Sequence, residues 1–329
     1  MELLGAIFAI LSAASFALNT ATVRRGVVSG TPLQAMAVSV PLGVVCFVPL
    51  AFLTGELFRL PQFPKTAVAW MAGLGVLHFV IGRYCNFRAN SVAGVNLTAP
   101  VVQLQVVVTM VLAVAVLHEP CTALQMIGGV LIVAGSLITQ RAPARTAAPD
   151  VKKPAVPLFA PKYLAGYLFA SLAAIAYGTT PIMARFALEH TGPATGILGG
   201  LISYIAATAV ASLALLSPQI RRNVFALGRD NARWFAMSGV FVAAAQGFFF
   251  AAVSVAPVML VMPLLQLSLA FRMLFSTWLN PHHEVVGPLV FTGVVISVTG
   301  ALMVSIDTSL IVNFLAVPEA IARVLLWRV

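Results

Sequence analysis

An α-helix needs about 20 consecutive apolar residues to cross the hydrocarbon core of a bilayer, and this chain carries ten runs of about that length. They cover residues 3–23, 32–53, 67–86, 92–117, 123–139, 163–188, 196–216, 234–254, 258–279 and 285–306. The runs are unbroken rather than alternating, which excludes a transmembrane barrel. Only 9% of the residues are charged and 60% are hydrophobic, against roughly 25% charged in soluble domains. A soluble globule could not cover its surface with so little charge, and a disordered chain is never so apolar. The sequence therefore predicts an all-α polytopic membrane protein with ten transmembrane helices. The first run is not read as a cleaved signal peptide, because Met1-Glu2 supplies no basic leader and the apolar stretch continues too far.

Two stretches depart from this pattern. Residues 140–162 hold Pro143, Pro149, Pro154, Pro157 and Pro161 beside Arg141, Arg145, Lys152, Lys153 and Lys162, the composition of a polar linker. Residues 307–329 contain Pro318, Glu319, Arg323 and Arg328 among apolar positions. They read as one interfacial amphipathic helix rather than an eleventh span. The resulting organisation is a first five-helix repeat at 1–139, the linker at 140–162, a second five-helix repeat at 163–306 and a tail at 307–329.

The halves on either side of the linker match in register. Trp70 and Gly75 fall on Trp234 and Gly239 at a shift of 164; Pro100 and Gln103 fall on Pro263 and Gln266 at 163. Glu119, Gly128 and Gly135 fall on Glu284, Gly293 and Gly300 at 165, and Arg24 on Arg185 at 161. Glycine and leucine matches come easily in apolar sequence, but paired tryptophans, Pro-x-x-Gln and Glu-x8-Gly-x6-Gly do not. An odd number of helices per copy makes the second copy enter from the opposite side. The expected fold is two inverted five-helix repeats, an arrangement that places binding sites at the repeat interface.

Five plus five helices resemble the EamA-type branch of the drug/metabolite transporter superfamily. The pattern is Pro100 in the fourth helix, Glu119 at its end, and Gly128 and Gly135 in the fifth, repeated at Pro263, Glu284, Gly293 and Gly300. The resemblance covers about residues 1–306. One departure is the Pro281-His-His-Glu284 turn, two residues longer than its counterpart. The resemblance implies alternating access through a central cavity, coupled to a proton or an exchanged solute. It is weak for substrate, since the family carries amino acids, sugars, nucleotide derivatives, lipids and drugs.

The net charge of +10 comes from basic residues scattered between apolar runs. That scatter suits membrane lipid and topology and gives nucleic acid no surface. Thirteen lysines and arginines fall on the odd-numbered connections, including Arg24, Arg25, Arg83, Arg88 and the linker, and five on the even-numbered connections and termini. The positive-inside rule then puts the linker in the cytoplasm and the termini outside. The resemblance implies the reverse, termini inside. The expected location is a bacterial cytoplasmic (inner) membrane.

A charge inside a bilayer is costly, so intramembrane ionisable and polar residues are the site candidates. Arg272 lies eight residues before Asn280, about 12 Å of helix, with Ser268 and Ser276 on its face. It reads either as an anion-binding group or as a structural arginine that snorkels. Arg83, Asn86 and Asn90 form one polar helix face, and Arg83 corresponds to Gln246 at the repeat shift. This face either lines a cavity or meets headgroups. Asn96, Pro100 and Gln103 share another face, with Gln266 repeating Gln103; such amides bind substrate or bond neighbouring helices. Ser12, Ser15 and Asn19 share a face of the first helix, and Tyr177, Thr179 and Thr180 lie in its partner. The substrate-binding set is Arg272, Arg83, Asn86, Gln103, Gln266, Gln246, Asn19 and Tyr177. Glu119 and Glu284 read as turn-fixing carboxylates, His78 as a hydrogen-bonded core residue rather than a proton relay, and Gly128-Gly129 and Gly199-Gly200 as close-packing positions.

No Asp or Glu lies mid-span, which disfavours cationic substrates. No metal, cofactor or catalytic pattern is present: Cys46, Cys85 and Cys121 lack CxxC spacing, and neither HExxH, GxSxG nor a P-loop occurs. The chain reads as a secondary transporter of a small polar neutral or anionic metabolite, not an enzyme. The alternative is a flippase or scramblase for a lipid or lipid-linked headgroup.

Overall fold

The computed structural model describes residues 2–118, 120–141, 160–188, 196–255, 261, 264–306, 308–314 and 318–326. Glu119, Pro263, Asp307 and most of the linker lie outside the described residues. Regular structure within them is helical. The main helices are α1 (Glu2–Val27), α2 (Pro32–Leu53), α3 (Lys65–Ala93), α4 (Val95–Leu117), α5 (Ala123–Gln140), α6 (Tyr163–Leu188), α7 (Gly196–Ala214), α8 (Arg229–Val255), α9 (Ser268–Leu279) and α10 (Pro288–Ser305). Among the described residues seven of these, α1–α4, α6, α7 and α10, are long and apolar enough to cross a membrane, and α5 is a shorter apolar helix.

Local sequence sets the boundaries. Thr31 and Gln34 form a capping box that starts α2, with Pro32 in the first turn, and Thr122 and Gln125 form one that starts α5. Gly94 separates α3 from α4 at φ +84°, where a Cβ would also crowd the Glu284 carboxylate. Four expectations need correction. The fourth run begins at Val95 rather than 92, because Gly94 ends the preceding helix. The tenth begins at Pro288 rather than 285, because the chain turns through 281–287 first. The tail is two short helices, Thr308–Phe314 and Glu319–Leu325, rather than one, with Pro318 immediately before the second. A further helix, Pro218–Phe225, lies between α7 and α8.

The packing has a simple rule. α1 packs on α8 and α9, and α6 packs on α3 and α4. α2 meets α7 and α8, α7 meets α2 and α3, α4 meets α9, and α5 meets α10. Exchanging every helix for the one five places away maps these pairs onto themselves. The two matched pairs of glycines meet crosswise. A Cβ on Gly128 would lie 2.6 Å from Gly300 O, and one on Gly293 would lie 2.7 Å from Gly135 O. The paired glycines thus let α5 and α10 approach backbone to backbone. Outward-facing side chains such as Val130, Leu164, Leu172 and Phe291 are exposed and apolar, as a lipid-facing surface requires.

One end of the bundle is tied shut. Arg24, at the end of α1, is 1% exposed and donates from Nε to Glu284 Oε1 at 3.0 Å. It also donates to Asn90 O (2.6 Å), Ser91 O (3.1 Å) and His283 O (2.5 Å). Glu284 in turn accepts the Val95 and Asn96 N–H groups at the start of α4, at 3.0 and 2.8 Å. Glu284 therefore caps α4, where the sequence suggested that it fixes the turn into its own α10. Burial and then the Arg24 and Arg25 charges hold the His283 imidazole below its ordinary pKa. The linker leaves from this same end, since Lys162 N–H donates to Val92 O at 2.8 Å.

Candidate functional site

Two helix breaks shape the centre of the molecule. In α4, Pro100 has no N–H to give, and the turns at Leu104 and Val106 tighten to three-residue bonds. Ser136 takes up the freed Pro100 carbonyl at 2.7 Å. The same tightening occurs at Leu267 and Leu269 ahead of α9. Each break carries a glutamine three residues after a proline. Gln103 Nε2 donates to Gln266 Oε1 at 2.6 Å, and Gln266 passes a bond to Ser305 Oγ at 3.0 Å. A third irregularity lies in α3. Residues Val76–Gly82 form a π-helical stretch in which Arg83 N–H reaches back to His78 O. Such widened turns recur at functional sites; here it lies between His78 and Arg83.

These distortions surround a cavity of about 230 Å³ lined by Asn19, His78, Arg83, Asn86, Gln103, Tyr177, Gln246, Gln266 and Arg272, with Phe16, Thr20, Phe87, Gln105 and Ser268 among the remainder. All eight residues singled out from sequence border this one space. Asn19 Oδ1 accepts Ser238 Oγ at 2.6 Å. Arg83 is 5% exposed; its guanidinium carbon lies 4.9 Å from the Phe79 ring centre and 5.9 Å from that of Tyr204, and one nitrogen reaches Ser39 Oγ at 3.5 Å. The arginine is thus held by aromatic faces, not by headgroups, and it leaves the loop charges that bear on topology. Asn86 accepts Asn90 Nδ2 at 3.3 Å, and the Tyr177 ring lies 4.6 Å from the His78 ring. His78 bonds Thr180 at 3.1 Å, as a satisfied core histidine would, yet its ring also borders the cavity.

Arg272 differs from every other cation in the bundle. Its Nε is buried and has no hydrogen-bond partner among the described residues. No carboxylate belongs to the cavity wall among the described residues. The Arg24–Glu284 pair shows how this fold neutralises a buried guanidinium; among the described residues Arg272 and Arg83 have no carboxylate partner. Ser268 shares the cavity, whereas Ser276 is buried elsewhere with its hydroxyl unpartnered. Asn96 is not in the wall. Its Nδ2 bonds Thr277 and the Val285 carbonyl, the helix-bonding option for that amide.

Sequence periodicity missed Gln105. Two residues after Gln103, it should face away in a regular helix, and the tightened turn brings it back to the same space. Phe16 falls on Tyr177 at the shift of 161 that matches Arg24 to Arg185, whereas Thr20 and Phe87 left no signal that separates them from ordinary helix positions.

The EamA-like transporter family matches residues 3–141 and again residues 164–306. The chain belongs to the EamA-like transporter family, within the drug/metabolite transporter superfamily, and is an integral membrane protein. A solved structure described only as "Crystal structure of protein" is 16% identical, spans 95% of this chain and 98% of its own, and superposes with a TM-score of 0.51. At that identity it shows the fold alone. No curated protein matches the chain.

Proposed function

We propose that this protein is a secondary transporter for an organic metabolite carrying a negatively charged group, with ten membrane spans in two inverted repeats and alternating access around the central cavity. The observation that carries this is Arg272: a buried guanidinium at the wall of a cavity that holds a second guanidinium and no carboxylate. An arginine at mid-bilayer is penalised by about 2.5–3.5 kcal/mol even on lenient scales. A substrate anion would offset that cost each time it binds. Of the neutral and anionic classes, the charge balance favours the anionic one. We place the protein in a bacterial inner membrane with the linker cytoplasmic, as the basic residues suggest; a proton or exchanged solute would supply the driving force.

The flippase alternative draws on a separate feature. A cleft of about 390 Å³ between α4, α6 and α10 has largely apolar walls and meets the central cavity. Proteoliposome flux measured against a metabolite panel separates the two classes. Arg272→Gln should weaken half-saturation by about ten- to hundredfold, the worth of a charged hydrogen bond. Arg272→Lys should recover part of the loss, because it keeps the charge without the planar fork. Wild-type flux and affinity in a well-expressed Arg272→Gln protein would reduce Arg272 to a structural residue.

A further inference from the structure

The central cavity shares part of its wall with a second space. Gln105, Tyr177 and Gln266 border both the 230 Å³ cavity and the 390 Å³ cleft. Past those three side chains the cleft is walled by Val106, Met110, Ala113, Val114, Pro181 and Val304, and no charged residue joins them. The polar groups nearby are already engaged: Thr109 donates to the Gln105 and Gly178 carbonyls, and Ser305 accepts from Gln266. The stretch Gln105–Leu117 that forms one side has no buried residue, so its inward apolar side chains have little protein to pack against. Tyr177 stands within electrostatic reach of both Arg83 and Arg272 while also touching the cleft. The two spaces share one wall, with guanidinium groups bordering one side of it and apolar side chains the other.

We propose that the substrate is an amphipathic organic anion, with a carboxylate or phosphate head at Arg272 and Arg83 and an aliphatic or aromatic body in the cleft against Val106, Met110 and Ala113. This deepens the anion reading of the cavity and rests on it. A wholly polar anion would leave the apolar wall facing water. An apolar body covers that wall and gains for each methylene it buries. Methionine suits such a wall because its unbranched thioether adapts to bodies of different shape.

The test uses thermal unfolding of the purified protein in detergent with acetate, butanoate, hexanoate, octanoate and dodecanoate, and with the matching primary amides. Wild type and variants are compared at equal total ligand, so that partition into micelles cancels. Carboxylates should protect and amides should not, with apparent affinity tightening up to about fourfold per added methylene, which corresponds to ~0.8 kcal/mol. Met110→Gln should lower that increment and Met110→Leu should keep it. A plateau at hexanoate or octanoate assigns a water-soluble amphiphile, and continued tightening to dodecanoate a lipid-derived one; both support the class. Equal protection at every chain length, or an unchanged increment in Met110→Gln, would overturn the amphipathic substrate while leaving the anion site standing. Amides that protect as well as carboxylates, or no protection by either, would overturn the anion reading itself.

Discussion

At position 24 a guanidinium is buried in full, although it lies within one turn of a helix end where snorkelling to water would be easy. The fold keeps it in place through Glu284 and three backbone carbonyls. Removing one member of such a pair strands the other charge, at about 3–5 kcal/mol. Arg24→Met should therefore lower the melting temperature sharply. Adding Glu284→Gln should recover part of it, because the amide oxygen still accepts one of the Val95 and Asn96 N–H groups and no buried carboxylate is left unpaired. If the double variant melts no higher than Arg24→Met, measured in the same detergent, the charge pair is not the source of the loss. The contrast with Arg272 explains what the sequence could tell. A charge eight residues from a helix end announces itself by position alone. Arg24 sits where basic residues belong on topological grounds, and its match to Arg185 indicated only duplication. Its partner lies 260 positions away, and no local pattern carries that information.

Helices as units were legible from apolar length, and their pairing was not. The sequence placed ten runs and matched Gly128 and Gly135 to Gly293 and Gly300, yet nothing in that register says that Gly128 meets Gly300 and Gly135 meets Gly293. The two contacts are equivalent because α5 and α10 exchange roles under the repeat, which carries one glycine contact onto the other; Gln103 and Gln266, which do match, meet each other directly. The breaks in α4 and before α9 escaped because a proline shows where a helix can loosen but not how far the following turn tightens. The close approach makes a sharp prediction. A methyl on Gly128 would stand 2.6 Å from the Gly300 carbonyl, which is backbone and cannot swing aside. On neighbouring Gly129 it would meet the end of the Met110 side chain at 3.0 Å, which can. Gly128→Ala should cost about 1–3 kcal/mol, the range for overpacking, and Gly129→Ala less. Thermal melts of the two variants settle the order, and a larger loss for Gly129→Ala would contradict the packing.

Across the whole molecule the two ends are in different conditions. The end from which the linker departs is closed by the Arg24–Glu284 network, which joins α1, the α3–α4 turn and the α9–α10 turn. At the opposite end the apolar cleft extends to Pro120, Cys121, Val304 and Ser305, and Arg185, the match of Arg24, is exposed. Under the alternating access proposed above, the closed end would open as the open end closes. The free energy between the two conditions would then depend on the ion pair, which that exchange would break, and a shift from 1:99 to 99:1 needs about 5.5 kcal/mol. Weakening the pair should move the population toward the other condition without any ligand. Ala113 lines the cleft and is half-buried, so Ala113→Cys, with Cys46, Cys85 and Cys121 replaced by alanine, reports on that side. Ala21 is fully buried, and its carbonyl accepts Asn280 Nδ2 at 3.1 Å in the closed end, so Ala21→Cys reports on the other. In proteoliposomes, introducing Glu284→Gln should slow modification of Ala113→Cys by a hydrophilic thiol reagent and speed modification of Ala21→Cys. Opposite changes at the two positions are the signature of exchange between conditions. Faster modification at both would mean that the ion pair holds the bundle together rather than choosing which end is open.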